Sequence, residues 1–484
     1  MKKTKIVCSI SDRRCDEDFL RKLFFAGMNV VRMNTAHAKA DGMKNIIRNA
    51  RRVSSRIAIM IDTKGPEIRT TAVAQPLEYK TGETVRIVGC PDLETVHDSV
   101  YVSYPHIAKD VKVGDHLLFD DGAIDMLITE NNGSELTAKV QNDGELGARK
   151  SVNIPGGHIN LPALSEKDKA NILFAIDQKI DFIAHSFVRS ADDVKAVQDI
   201  LDEHGSDIKI ISKIENQEGV NNIDEIIDAS YGIMVARGDL GIEVPIEEIP
   251  GIQRKIIQKC VMKKKPVIVA TQMLHTMIEN PRPTRAEVTD IANAIYSRTD
   301  ALMLSGETAT GKYPLEAVLT MARIAEQAET DLVWDNFMST AMGKNPTQRE
   351  FLAHSAIEAT RQLGVKGIIT DSETGLTARH LSAFRGPTPI LAICYRERTQ
   401  RLLNLSYGVI PIYQKEHTKS EYLFTAAVRM LRQKGYIANE DKIAYLSGSF
   451  GEGGGTTLLE INKASQVFDK SYEFHLPQYG MTEK

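Results

Sequence analysis

Residues 208–215 read Ile208-Lys209-Ile210-Ile211-Ser212-Lys213-Ile214-Glu215, an apolar run with the length and β-branched content of a buried strand. Side chains alternate along a strand with period two, so Lys213 and Glu215 emerge on the same side of its C-terminal end. Alone, such a pair is an ordinary strand-end ion pair. A second run, Gly232-Ile233-Met234-Val235-Ala236-Arg237-Gly238-Asp239, closes in the same manner, with Asp239 on a glycine turn. Two carboxylates at neighbouring strand ends form a hard-oxygen pair suited to Mg²⁺ or Mn²⁺.

Working outward, short apolar runs recur at residues 5–10, 30–34, 57–62, 181–187, 266–271 and 301–305. Amphipathic helical stretches such as residues 16–26, 191–204, 247–264 and 314–328 separate most of them. Strand and helix alternating through eight units predict an α/β fold, a parallel (β/α)8 TIM barrel. The interval between the third and fourth runs departs from this pattern. Its short alternating segments, punctuated by Gly82, Gly89, Gly114, Gly122, Gly133, Gly144 and Gly147, predict a small inserted β-barrel lid domain over residues 67–166.

Setting that insert aside leaves residues 1–66 and 167–345, which is 245 residues, against roughly 250 for a typical barrel. Residues 335–349, polar and carrying Gly343 and Pro346, read as a linker. Beyond it, apolar runs at 367–370, 390–394, 409–413 and 443–446 alternate with helices. They predict a C-terminal open-sheet α/β domain over residues 346–484.

The 484 residues carry 60 Lys and Arg against 64 Asp and Glu, a net charge of −4. No basic field advertises nucleic acid or an anionic membrane, which leaves small molecules as the expected partners. Cys8, Cys15, Cys90, Cys260 and Cys394 are scattered without CxxC spacing. That pattern fits reduced thiols in a cytoplasmic protein better than a disulfide scaffold or a zinc site. No run reaches the roughly 18 apolar residues needed to span a bilayer.

A barrel places its chemistry at the C-terminal ends of its strands, and the predicted ends are polar. The second ends in Val31-Arg32-Met33-Asn34, and the third in Asp62-Thr63-Lys64-Gly65-Pro66-Glu67-Ile68-Arg69. The fifth ends in Lys213-Ile214-Glu215, the sixth in Arg237-Gly238-Asp239, and the eighth in Ser305-Gly306-Glu307. The seventh leads to Pro281-Arg282-Pro283-Thr284-Arg285. Cations and carboxylates converging on one rim are poorly explained by stability alone and point to a catalytic site.

These blocks resemble the pyruvate kinase family over essentially the whole chain. Residues 210–220 are similar to the family's active-site signature, and residues 62–69, 234–243, 281–287 and 303–308 match its other blocks. The resemblance implies phosphoryl transfer from phosphoenolpyruvate to ADP, giving pyruvate and ATP. Such a reaction gathers cations around a carboxylate, a phosphate and a developing enolate. By resemblance, Glu215 and Asp239 hold Mg²⁺, Lys213 stabilises the transferring phosphoryl group and Arg32 binds the phosphate. The backbone N–H groups of Gly238 and Asp239 receive the carboxylate, and Thr284 offers a hydroxyl near the carbon that is protonated. Arg69 and Lys150 match nucleotide contacts, with Lys150 carried by the insert. Asp120-Asp121-Gly122 reads as a hairpin turn and stays outside the site.

Glu67 and Thr63 group the chain with K⁺-dependent members of the family, and Asn34, Asp62 and the Thr63 carbonyl match K⁺ ligands. Ala36 stands where the family usually places a serine hydroxyl, which predicts a weakened K⁺ site. Residues 306–313 nearly spell a Walker A loop, but Tyr313 replaces the required Ser or Thr. Ser372, Thr374, Gly375 and Thr377, with the glycines of residues 451–455, resemble the family's allosteric phosphate site, which implies a phosphorylated effector. No Lys or Arg lies between Ala444 and Asn462, which favours a monophosphate. The family is usually a homotetramer. Two other readings share parts of this site: a metal-dependent enolate lyase or aldolase, and a catalytically silent relative. The nucleotide positions Arg69 and Lys150 argue against the first, and the intact set of Lys213, Arg32, Glu215 and Asp239 against the second.

Overall fold

The computed structural model describes residues 2–35, 40–157, 159–332, 341–343, 345–415, 421–448 and 455–467. Eight parallel strands close into a barrel: Lys5–Ser9, Val30–Asn34, Ala58–Asp62, Phe182–His185, Lys209–Ile214, Gly232–Ala236, Val267–Ala270 and Ala301–Leu304. They follow one another around the barrel in chain order, and the first pairs with the eighth, Lys5 opposite Ala301. Val7, Met60, Phe182, Ile211, Met234 and Ile268 fill the interior, while Ile6, Ile61, Ile183 and Ile233 pack in the outer layer with the helices. Burial on both faces is why these strands read as continuous apolar runs rather than as alternating ones.

The fourth strand ends at His185, two residues short of the expected run, because the chain turns there. Phe187 has φ 55°, in the left-handed region. Gly65, with φ 74°, has room only for hydrogen at this point, since a Cβ would lie 2.8 Å from the Phe187 ring.

The insert folds as a seven-stranded sheet with a two-stranded flap and its own core around Tyr79, Phe119 and Met126. Its edge strands, Ile68–Arg69 and Ser99–Val102, are joined by a bridge between Thr70 and Val102 and by Ser103 N–H donating to the Arg69 carbonyl at 2.8 Å. That link brings the sheet close to a closed barrel.

The C-terminal sheet has five strands, one more than the sequence reading found. Gly367–Ser372, Ile390–Cys394, Val409–Tyr413 and Lys442–Gly448 are parallel, and Thr456–Lys463 runs antiparallel to the last of them. Thr456 and Thr457, which follow the glycines of residues 451–455 in sequence, open this strand. It is an edge strand with little buried surface, so the alternation that would have marked it is faint. This unit docks on the N-terminal ends of the barrel strands, away from the site. Arg385 and Asp300 form a buried ion pair at 2.6 Å, and Arg401 meets Asp181 at 2.8 Å. Among the described residues no helix is long and apolar enough to cross a membrane.

Candidate active site

Several strand ends deliver groups to the mouth. The second strand places Arg32, which donates to Ser9 Oγ of the first at 3.0 Å and pairs with Asp62 at the end of the third. From the fifth strand Lys213 reaches inward, its Nζ 2.7 Å from Glu215, 3.6 Å from Asp62 and 2.9 Å from Ser186 Oγ. Glu215 Oε2 accepts the backbone N–H of Phe187 at 2.7 Å. The left-handed turn at Phe187 aims that N–H at the carboxylate, and such conformations persist where surrounding structure holds them.

Arg32, Asp62, Lys213 and Glu215 are all buried. With Asp239, whose field reaches Arg32, Lys213 and Glu215, they total two cations and three carboxylates. Burial would raise Asp62, but Arg32 and Lys213 more than offset this and hold it below the usual carboxylate range. Burial pushes Glu215 up to about 7, with Asp239 adding to the rise against the pull of Lys213. Lys213 is held above its ordinary value, since Glu215 and Asp62 outweigh its own burial. The excess of negative charge is thus relieved by a proton on Glu215, the carboxylate that a bound cation would deprotonate.

The donor set fits a hard divalent cation. Glu215 Oε1 and Asp62 Oδ1 are buried oxygens without a hydrogen bond of good geometry. Among the described residues no cluster of three or more His, Cys, Asp or Glu could cage a metal. Two carboxylates with room for water and substrate oxygens match the preference of Mg²⁺.

Asn34 lies opposite Asp62 in register, and the Thr63 carbonyl accepts from Ser186 Oγ at 2.8 Å. Ala36 lies outside the described residues. The Gly238 N–H donates to Thr271 Oγ1 at 2.7 Å, so this donor is already engaged. Thr284 caps the helix Arg285–Tyr296 and shares a capping box with Glu287, a local structural duty for the same hydroxyl.

A cavity of about 530 Å³ opens between mouth and insert, lined by Glu67, Arg69, Asp121, Asn153, Asp239 and Glu243 among others. Arg69 pairs with Glu67 and donates to the Arg149 carbonyl at 2.9 Å. Lys150 sits 2.8 Å from Asp120, and Asn153 donates to Glu243 across the cleft at 2.9 Å. Asp120, Asp121 and Gly122 are all left-handed, and they form the hairpin turn expected of them.

The barrel and the C-terminal unit agree with the comparisons. The family profile "Pyruvate kinase, barrel domain" matches residues 1–318, and "Pyruvate kinase, alpha/beta domain" matches residues 350–462. The chain belongs to the pyruvate kinase family. It is 45% identical to a pyruvate kinase of Borreliella burgdorferi over 95% of this chain and 97% of that one. It is 42% identical to a pyruvate kinase of Bacillus licheniformis over 97% of this chain and 82% of that one. A crystal structure of a pyruvate kinase from Cryptosporidium parvum superposes with a TM-score of 0.91 at 36% identity, covering 96% of each chain. As a pyruvate kinase, the chain is a divalent-metal-dependent phosphotransferase acting on phosphoenolpyruvate and ADP.

The sequence reading passed over the mouths of the first and fourth strands. Ser9, Ser186 and the Phe187 N–H are the groups it missed. The polar pair His185-Ser186 closing an apolar run was the available signal. In the C-terminal unit it also missed Arg349, which donates to Thr456 Oγ1 at 3.2 Å beside Thr377 Oγ1 at 2.8 Å. Arg349 lies 107 residues from Thr456 in sequence, and only folding brings the two together.

Proposed function

We propose that the mouth formed by Arg32, Asp62, Lys213, Glu215 and Asp239 performs the pyruvate kinase reaction, with Glu215 and Asp239 as the Mg²⁺ ligands. The Lys213 ammonium, held by Asp62, Glu215 and Ser186 in a buried pocket, carries this reading. When bound, the divalent ion supplies Lewis-acid polarisation of substrate oxygens, an effect typically of several kcal/mol. Arg32, with Nε unpaired and buried, binds the substrate phosphate. Lys213 meets the negative charge that spreads over the transferring group and the departing enolate, without reorganising. Asp62 keeps both cations charged and aligned. Arg69 and Lys150 bind the nucleotide phosphates, for which Lys150 leaves Asp120. The substrate carboxylate takes the Asp239 N–H, and that of Gly238 once Thr271 yields it. Thr284 faces the carbon to be protonated.

Asn34, Asp62 and the Thr63 carbonyl are the K⁺ ligands in this reading, with Glu67 favouring K⁺ dependence. In this reading the domain limits are 1–66 with 167–345, 67–166, and 346–484. Ser372, Thr374, Gly375 and Thr377, joined by Thr456 and Arg349, form the site for a phosphorylated effector. The protein works in the cytoplasm as a homotetramer. The test is pyruvate formation from phosphoenolpyruvate with ADP and Mg²⁺, comparing the parent with Lys213→Met. Turnover should fall more than about a hundredfold while the protein stays folded. Near-parental turnover in a folded variant would remove Lys213 from the mechanism.

A further inference from the structure

His185 closes the fourth barrel strand, opposite Ser212 of the fifth, and is wholly buried. It touches no reacting group directly. Its neighbours on the strand, Phe182 and Ala184, face the barrel interior, so alternation sends His185 to the outer layer with Ile183. There its Nδ1 lies 3.3 Å from Thr63 Oγ1.

We propose that His185 is a positioning residue for Lys213, acting through Thr63 and Ser186. The inference rests on the assignment of Lys213 given above. Thr63 Oγ1 accepts the Ser186 N–H at 2.9 Å, and the Thr63 carbonyl accepts Ser186 Oγ–H at 2.8 Å. Ser186 Oγ then accepts from Lys213 Nζ at 2.9 Å. A hydroxyl has one proton and two lone pairs. With one lone pair given to Ser186, Thr63 Oγ1 keeps its proton and a second lone pair for another partner, and His185 Nδ1 is the group at hand.

The other ring nitrogen, Nε2, is buried without a hydrogen-bond partner, so Thr63 is the polar contact that the ring makes through Nδ1. Nδ1 and the Thr63 hydroxyl share one hydrogen bond, whichever of them supplies its proton. The hydrogen bonds from Lys213 as far as Thr63 have one direction. Lys213 donates to Ser186, Ser186 donates twice to Thr63, and Thr63 Oγ1 pairs with His185. An apolar side chain at position 185 removes that pairing and frees the Thr63 hydroxyl to rotate. Ser186 then loses the partner that fixes its backbone, and with it the geometry offered to the ammonium.

Two variants separate this role from simple packing. His185→Leu fills the space without a polar partner, while His185→Asn keeps one near the position of Nδ1. We expect His185→Leu to lower kcat about tenfold with KM values for phosphoenolpyruvate and ADP held within about twofold. His185→Asn should recover to within about threefold of the parent. Thr63→Val should reproduce the Leu variant, and the double variant should be no slower than Thr63→Val alone, because one chain is cut only once. Parental kcat in folded His185→Leu, equal losses in Asn and Leu, or losses that multiply in the double variant would each overturn the proposal. If His185→Leu does not fold, Thr63→Val decides, and a parental kcat there overturns it. Lys213→Met, run alongside, reports separately on the underlying assignment.

Discussion

Lys213 Nζ and Glu215 Oε1 lie 2.7 Å apart, both buried at the end of one barrel strand. Period-two spacing makes the contact possible, and the charge excess around it makes the carboxylate responsive to a cation. On the function proposed above, Glu215 would serve Lys213 before metal binds and the metal afterwards.

Glu215→Gln and Asp239→Asn should each raise the Mg²⁺ concentration needed for half-maximal rate, by about tenfold or more, since each removes one anionic ligand from a hard-cation site. Metal titrations of folded variants check this. Two curves that overlay the parent would leave both carboxylates as structural ion-pair partners.

The metal requirement should also depend on pH. Glu215 has an ordinary value of 4.5 and a folded value of about 7, so between these the metal-free folded state holds a proton that the unfolded chain lacks. Its contribution to stability is present below 4.5 and is lost as pH rises through about 7. Metal must displace that proton, so half-saturating Mg²⁺ should fall as pH rises from 6 to 8, by at most about tenfold per pH unit below the folded value. Glu215→Gln should flatten this dependence. A parent whose metal midpoint ignores pH would contradict the charge assignment.

K⁺ should activate the parent. Ala36→Ser should lower the K⁺ concentration required, because it restores a hydroxyl ligand, and Glu67→Lys should reduce the dependence by tethering an ammonium near the same anions. Rates in K⁺, Na⁺ and a bulky organic cation test all three proteins. A parent that runs equally fast without K⁺ would mean that Ala36 outweighs Glu67.

Arg385→Leu should destabilise the protein by about 3 kcal/mol, because it strands the buried Asp300 carboxylate between barrel and C-terminal unit. Denaturant unfolding measures the loss, and a further Asp300→Asn change should recover part of it. An unchanged midpoint would show that the backbone donors from Val267 and Tyr407 suffice for Asp300.

The strand runs and the residues at six of their ends were legible because a buried parallel strand announces itself over a few adjacent positions. The fifth C-terminal strand, Thr456–Lys463, was not, since an exposed edge leaves no such pattern. Thr284 was legible as a hydroxyl in a matching block, but its place as a helix cap needed the turn to be seen.

The sequence by itself determined the eight-unit alternation, the inserted β segment and the identity of Arg32, Lys213, Glu215 and Asp239, because these depend on local periodicity and on residue type. Tertiary structure alone decided that Ser9, Ser186 and the Phe187 N–H complete the mouth, that Lys150 rests on Asp120, that Arg349 reaches Thr456, and that His185 stands behind Thr63. Those contacts join residues far apart in the chain, and their geometry follows from barrel closure and from where each loop packs. No local periodicity encodes a distance across a closed sheet.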